Sequence, residues 1–173
     1  MAQGENARFL YFAYGSNMFT RRLTARTPSA IAVGIGYIAG HRLTFDKVSK
    51  DGSGKCDAEA TGRAGDRTHG VLFEISSSEK PQLDRFEGLN QGYREEKVRV
   101  VTSAGGAREA VTYVATSKDP ALFPYDWYKA LVIAGAVEHG LPDPYIEWLR
   151  TFHSQADPDA KRRAENKALL FAS

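Results

Sequence analysis

The chain has 173 residues, of which 42% are hydrophobic and 25% charged, and its net charge is +2. That length and apolar content suit one domain with a real core and exclude a largely disordered chain. So small a net charge gives no dense basic footprint for nucleic acid, and no apolar run reaches the ~20 residues of a membrane span.

Phe9-Leu10-Tyr11-Phe12-Ala13-Tyr14 is a short apolar and aromatic run that ends at Gly15-Ser16-Asn17, which predicts a buried strand followed by a turn. Met18 to Arg26 holds good helix formers, with Asn17 placed to cap them. Ala30 to Ala39 and Leu43 to Phe45 read as strands, with Gly34, Gly36 and Gly40 permitting bends or bulges. Lys47 to Lys55, rich in Lys, Ser, Gly and Asp, reads as an exposed loop. Ala58 to Gly62 is a weak strand and Gly70 to Ile75 a stronger one. Ser78 stands where it would cap a short helix running to Phe86, with Pro81 tolerated in the first turn and Gly88 available for a left-handed cap. Tyr93 to Thr102 alternates charged and β-branched residues as a half-buried strand does, Gly105-Gly106 turns the chain, and Glu109 to Ala115 returns as its partner. From Pro124 the spacing of Trp127, Leu131, Ala134 and Val137 is helical, and Gly140 stops it. Pro142 to Phe152 forms another amphipathic helix. The tail from Asp157 is charged and reads as a loosely held helix.

Strands fill the first two-thirds and helices the last third, which argues an α+β class rather than alternating α/β. With no linker and no repeat, residues 1–173 read as one domain, its core roughly 9–153 and its C-terminal tail charged.

The single cysteine, Cys56, permits no intrachain disulfide, and its polar setting in Ser53–Asp57 reads as a bystander surface thiol. His41, His69, His139 and His153 are scattered without ligand spacing, so no metal site is expected; His69 beside Gly70 reads as a hydrogen-bonded structural residue. Lys161-Arg162-Arg163 reads as a solvated helix face. Met1 to Arg8 is polar and lacks the apolar stretch of a signal peptide, so the expected setting is cytoplasmic.

A strand, then Gly-Ser-Asn, then a helix makes a suitable anion cradle, because loop N–H groups and a helix N-terminus converge there. It is neither a Walker loop nor a dinucleotide fingerprint. Taken together, Phe9 to Asn17, Thr27-Pro28-Ser29-Ala30, Leu83-Asp84-Arg85-Phe86-Glu87-Gly88, and Tyr128-Lys129 through Gly140-Leu141-Pro142 resemble the γ-glutamylcyclotransferase family, in the same order and across roughly residues 9 to 150. The resemblance implies a small mixed β-barrel with flanking α-helices and an enzyme that releases 5-oxoproline and a free amine from a small γ-glutamyl substrate. It implies no cofactor and no metal, no nucleic acid or membrane as partner, and an assembly that includes dimers in some members.

Residue by residue, the resemblance makes Tyr11, Phe12, Ala13, Tyr14, Gly15, Ser16 and Asn17 the substrate loop and Glu87 the essential carboxylate. Tyr128 matches a pocket tyrosine, and Tyr93 falls near another pocket aromatic. Without the resemblance, a Glu before a helix-ending Gly reads as a solvated surface charge, and Asp84, Glu95 and Glu96 are as acidic. The chemistry asks for one carboxylate that first takes a proton from the α-amine and then returns it to the leaving amine, in a pocket that holds the glutamyl chain folded. Related cyclotransferases differ in the leaving amine, and Lys47 to Arg67 is the candidate for that side. A non-catalytic binding protein of the same fold is the alternative from another class.

Overall fold

The computed structural model describes residues 7–172, and most of the polar Met1 to Arg8 segment lies outside them. Five strands close a barrel in the order β1 (Arg8–Ala13), β5 (Arg67–Ser76), β2 (Ile31–Ala39), β6 (Tyr93–Thr102) and β7 (Ala107–Ala115). Neighbours run antiparallel, except that β1 closes against β7 in parallel at Tyr11 and Val111. Closure removes the open edges that an isolated sheet must protect. The pattern within each strand follows its cover: Val71, Leu72, Phe73 and Ile75 of β5 are all buried, whereas β6 buries Val98 and Val100 and exposes Lys97 and Arg99. The expected mixed barrel with flanking helices is what the chain forms.

A second, two-stranded sheet, β3 (His41–Val48) with β4 (Gly54–Ala60), stands beside the barrel. Here the reading of Lys47 to Lys55 as an exposed loop is corrected. Lys47 and Ser53 are buried, and only the segment between the two strands turns. Its polar composition hides a hairpin partly held by its own polar groups: Lys55 pairs with Asp51 at 3.1 Å, and the Ser53 hydroxyl donates to the same carboxylate at 2.6 Å. Cys56 is likewise no surface thiol. It is 1% exposed within this hairpin.

The helices are α1 (Thr20–Arg26), α2 (Lys80–Glu87), α3 (Asp126–Glu138), α4 (Asp143–Arg150) and α5 (Ala160–Phe171). None of them is long and apolar enough to cross a membrane. Two expected caps are absent. A 3-10 turn at Ser16–Met18 precedes α1, Phe19 stands at the cap position, and Asn17 is buried for another purpose. A second 3-10 turn at Ser77–Glu79 precedes α2, which leaves Ser78 outside the cap. Pro81 does sit in the first turn, and Gly88 closes the helix at φ +71°, a conformation that glycine adopts without steric cost.

The tail is held rather than loose. Trp127 Nε1 donates to the fully buried Asp157 at 2.8 Å, and Arg162 grips the same carboxylate with two nitrogens at 2.6 and 2.7 Å. These contacts hold Asp157 far below the usual carboxylate range, with the Arg162 hydrogen bond the largest cause. The Lys161-Arg162-Arg163 triplet is therefore not a solvated face: Arg162 and Arg163 both turn inward to Asp157. Further along, Arg21 donates to the Leu169 carbonyl at 2.7 Å and Arg22 to Asn166 Oδ1 at 3.1 Å, which ties α5 to α1.

In the helical layer α3 lies tightly against the Ser16–Met18 turn. A Cβ on Gly135 would lie 2.5 Å from the Phe19 nitrogen and 2.6 Å from Met18 Cβ. An alanine in an exposed helix interior is worth ~1 kcal/mol over glycine, but here the overlap is with backbone that is itself packed. We expect Gly135→Ala to destabilise the protein by ~1–3 kcal/mol, the usual range for overpacking. Chemical denaturation of both proteins measures it, and an unchanged or raised midpoint would show that the two segments are not so tightly apposed.

Candidate active site

Strand β1 ends where the chain must leave the barrel, and the 3-10 turn that follows folds back under the C-terminal end of α2. Between them opens a cleft of about 300 Å³. Tyr11, Tyr14, Gly15, Ser16 and Asn17 line one side. Glu87 and Gly88 at the end of α2, with Tyr93, Tyr113 and Tyr128, line others. Phe12 and Ala13 are buried but do not reach the cleft. Phe12 projects from the opposite face of β1 to Tyr11, toward Gly70, as strand alternation requires.

Glu87 is half-buried and fixed through one oxygen only. Its Oε1 accepts from the Tyr11 hydroxyl at 2.6 Å and from Asn17 Nδ2 at 2.6 Å, and Asn17 Nδ2 also lies 3.2 Å from the Tyr11 oxygen. Arg26 Nη1 donates to Asn17 Oδ1 at 3.1 Å, which fixes the amide with its nitrogen toward the carboxylate. Glu87 Oε2 meets no donor among the described residues. Burial, with Glu87 beside it, pushes the Tyr11 hydroxyl well above the ordinary phenol range, so Tyr11 remains a neutral donor.

The other acidic side chains of the region are occupied elsewhere. Asp84 takes Lys80 and the Tyr113 hydroxyl, Glu95 takes Lys80, and Glu96 takes Arg94. Of these four carboxylates Glu87 alone lines the cleft.

The turn offers unoccupied donors. The N–H groups of Gly15, Ser16 and Asn17 meet no acceptor among the described residues, whereas the carbonyls of Gly15 and Ser16 accept from Met18 and Phe19. Tyr128 and Tyr93 brace the opposing hairpin through its main chain. The Tyr128 hydroxyl accepts from the Cys56 N–H at 3.1 Å, and the Tyr93 hydroxyl donates to the Cys56 carbonyl at 2.7 Å. A Cβ on Gly15 would stand 3.2 Å from the Tyr128 oxygen and from Cys56 Cβ, so the cleft floor is closely packed at that point. Burial pushes the Cys56 thiol up to about 12, which leaves it protonated and unsuited to attack at neutral pH. The four histidines are not drawn together, and among the described residues no group of three or more His, Cys, Asp or Glu side chains could hold a metal ion.

Sequence reasoning missed the cationic wall. Arg22, Arg26, Lys47, Lys50, Lys55 and Arg85 all line the cleft, against the single lining carboxylate Glu87. Arg22 and Arg26 stand four apart on α1 and so share a face, a signal that was available. Nothing in the composition of Lys47 to Lys55 distinguishes a cleft wall from a solvated loop. Burial lowers the Arg22 guanidinium to about 10, with Arg26 adding to the effect. Burial likewise lowers the Lys55 ammonium to about 8, against the opposing pull of Asp51. Of the expected leaving-group side, Lys47 to Cys56 contributes to the wall and Ala58 to Arg67 does not.

Residues 67–149 match the model of the AIG2-like family. The human γ-glutamylcyclotransferase is 35% identical over 147 residues, which are 82% of this chain and 77% of that protein. The mouse γ-glutamylcyclotransferase is 34% identical over 151 residues, 84% of this chain and 79% of that one. A solved structure titled gamma-glutamyl cyclotransferase superposes with a TM-score of 0.84 at 27% identity, covering 96% of this chain and all of that one. On this identity and coverage, the chain belongs to the γ-glutamylcyclotransferase family.

Proposed function

We propose that the chain cyclises γ-glutamyl amides, with Glu87 carrying the proton and the Gly15–Asn17 turn holding the glutamyl α-carboxylate. The observation that carries this reading is the division of labour on Glu87: one oxygen is pinned by two donors while the other is free within a cleft whose floor presents unpaired N–H groups. A pinned carboxylate keeps its position while its free oxygen exchanges a proton.

In this reading Glu87 Oε2 removes a proton from the substrate α-ammonium, and the amine nitrogen attacks the γ-carbonyl carbon. The new C–N bond closes a five-membered ring. The tetrahedral intermediate then collapses as the bond to the leaving nitrogen breaks, Glu87 returns its proton to that nitrogen, and the remaining extra proton of the ring nitrogen passes to the released amine, which departs as an ammonium. The products are 5-oxoproline and the free amine. Tyr11 and Asn17 act through Glu87 as positioning residues. Release of 5-oxoproline from γ-glutamyl compounds, followed by mass spectrometry, tests it directly; no release from any of them would leave the binding-protein alternative in its place.

Two substitutions probe the assignment. Glu87→Gln keeps the size and the Oε1 contacts but removes the proton carrier, and turnover is expected to fall by ~10²–10⁴-fold, the usual scale for acid-base groups. A non-cyclisable γ-glutamyl analogue should still bind, because the turn is untouched. Glu96→Gln, at an exposed ion pair outside the cleft, serves as the control and should be nearly silent. A Glu87→Gln protein with near-normal turnover refutes the mechanism.

Tyr11→Phe removes one of the two hydrogen bonds to a charged oxygen, worth ~1.5–3 kcal/mol. Its kcat should fall by ~10–100-fold with a much smaller change in KM, since the carboxylate remains but is less firmly placed. Equal activity in steady-state kinetics would mean that Asn17 alone suffices to hold Glu87.

A further inference from the structure

Lys47 is only 9% exposed, yet no carboxylate among the described residues lies within 4.0 Å of its ammonium, and it makes no hydrogen bond there. Its stem crosses the face of Tyr93, with Nζ 4.5 Å from the ring centroid, and its tip reaches the cleft. The stem is buried while the ammonium opens on the cleft, so its unpaired charge keeps only part of its hydration. Lys47 also pairs directly across the hairpin with Lys55, so no carboxylate stands opposite it on the neighbouring strand.

Lys55 is neutralised by Asp51 at 3.1 Å. Lys47 has no such partner; Glu87 and Asp51 act on it only through space. Beside it, at the rim, the Lys50 ammonium meets just the neutral Gln91 Oε1 at 3.2 Å. Two unneutralised ammonium groups therefore stand together on the β3–β4 wall, while the glutamyl α-carboxylate is already served by the N–H groups of the turn.

Taking the cyclotransferase reading as its basis, we propose that Lys47 and Lys50 recognise two acid groups on the leaving amine, so that the preferred substrate is a γ-glutamyl derivative of an amino dicarboxylate. Glu87 must reach the leaving nitrogen to protonate it, and Glu87, Lys47 and Lys50 line the same cleft. The leaving group is thereby placed against this wall. A compact cleft of about 300 Å³ suits a ligand of dipeptide size. Lys47 is then a specificity-determining residue, and the ligand supplies the counter-charge that the fold withholds.

The test compares γ-glutamyl-glutamate with γ-glutamyl-glutamine, which share a shape and differ by one charge. The unmutated protein at low ionic strength is expected to favour the glutamate compound by about tenfold or more in kcat/KM, carried by KM, with the preference shrinking as salt is added. In Lys47→Met the ratio should fall to within about threefold, and Lys47→Arg should restore most of it. Release of 5-oxoproline from both compounds at equal efficiency by the unmutated protein overturns this specificity while leaving the cyclotransferase reading intact. Release from neither of these, but from another γ-glutamyl compound, overturns the specificity alone, and release from none overturns both. A ratio that survives in a folded Lys47→Met protein removes Lys47 from the role.

Discussion

A carboxylate that is to shuttle a proton must be held in place without being consumed by its own hydrogen bonds. Two donors on one oxygen of Glu87 meet that constraint, and much of the surrounding fold serves it. Tyr11 comes from the first strand, Glu87 from the last residue of α2, and Asn17 from the turn between them in space. Arg26 orients the Asn17 amide, and α3 presses on the turn through Gly135, where no side chain would fit. Gly88, in a left-handed conformation, ends α2 immediately after the carboxylate.

Electrostatics distinguish the cleft from an ordinary polar groove. Six cationic side chains line it against one carboxylate. Burial depresses the Arg22 and Lys55 groups, which marks them as desolvated rather than decorative. Such a wall focuses an attractive potential for anions in a space with aromatic sides. Arg22 further links the cleft to the end of the chain, because its guanidinium is held by Asn166 on α5.

The strands of the barrel were legible where side-chain periodicity and turn residues agree, while their closure into a barrel followed only from the family resemblance. β1, β2, β5, β6, β7 and both central helices stand close to where alternation, Gly105-Gly106, Gly88 and Gly140 place them. The hairpin was not legible, because Lys47, Ser53 and Cys56 are buried through partners and packing remote in sequence or invisible to composition. Asn17 misled for a related reason. Its type favours a helix cap, but tertiary contact with a residue seventy positions away outweighs that local preference. The charged tail misled because Asp157 and Arg162 satisfy each other inside the fold, which composition reads as solvation. Within the candidate site, Glu87 stood out from Asp84, Glu95 and Glu96 only through family resemblance, while the structure separates them by what each carboxylate touches.

The β3–β4 hairpin shares no strand ladder with the barrel. It is moored instead by Lys118, which contacts Asp46, Asp57 and Glu59, by Asp57 accepting the Ala115 N–H, and by two tyrosine hydroxyls that hold the main chain of Cys56. The tyrosine grips act on the main chain, while the Cys56 side chain they leave aside is buried against Gly15. A hairpin so attached still belongs to the common core: Leu43, Phe45, Cys56 and Ala58 are buried in it, and Phe45 packs against Tyr128 and Phe152. Sequence change on this element is therefore least costly at its exposed residues, such as Val48 and Lys50, where the cleft wall can be retuned without opening a cavity beneath it.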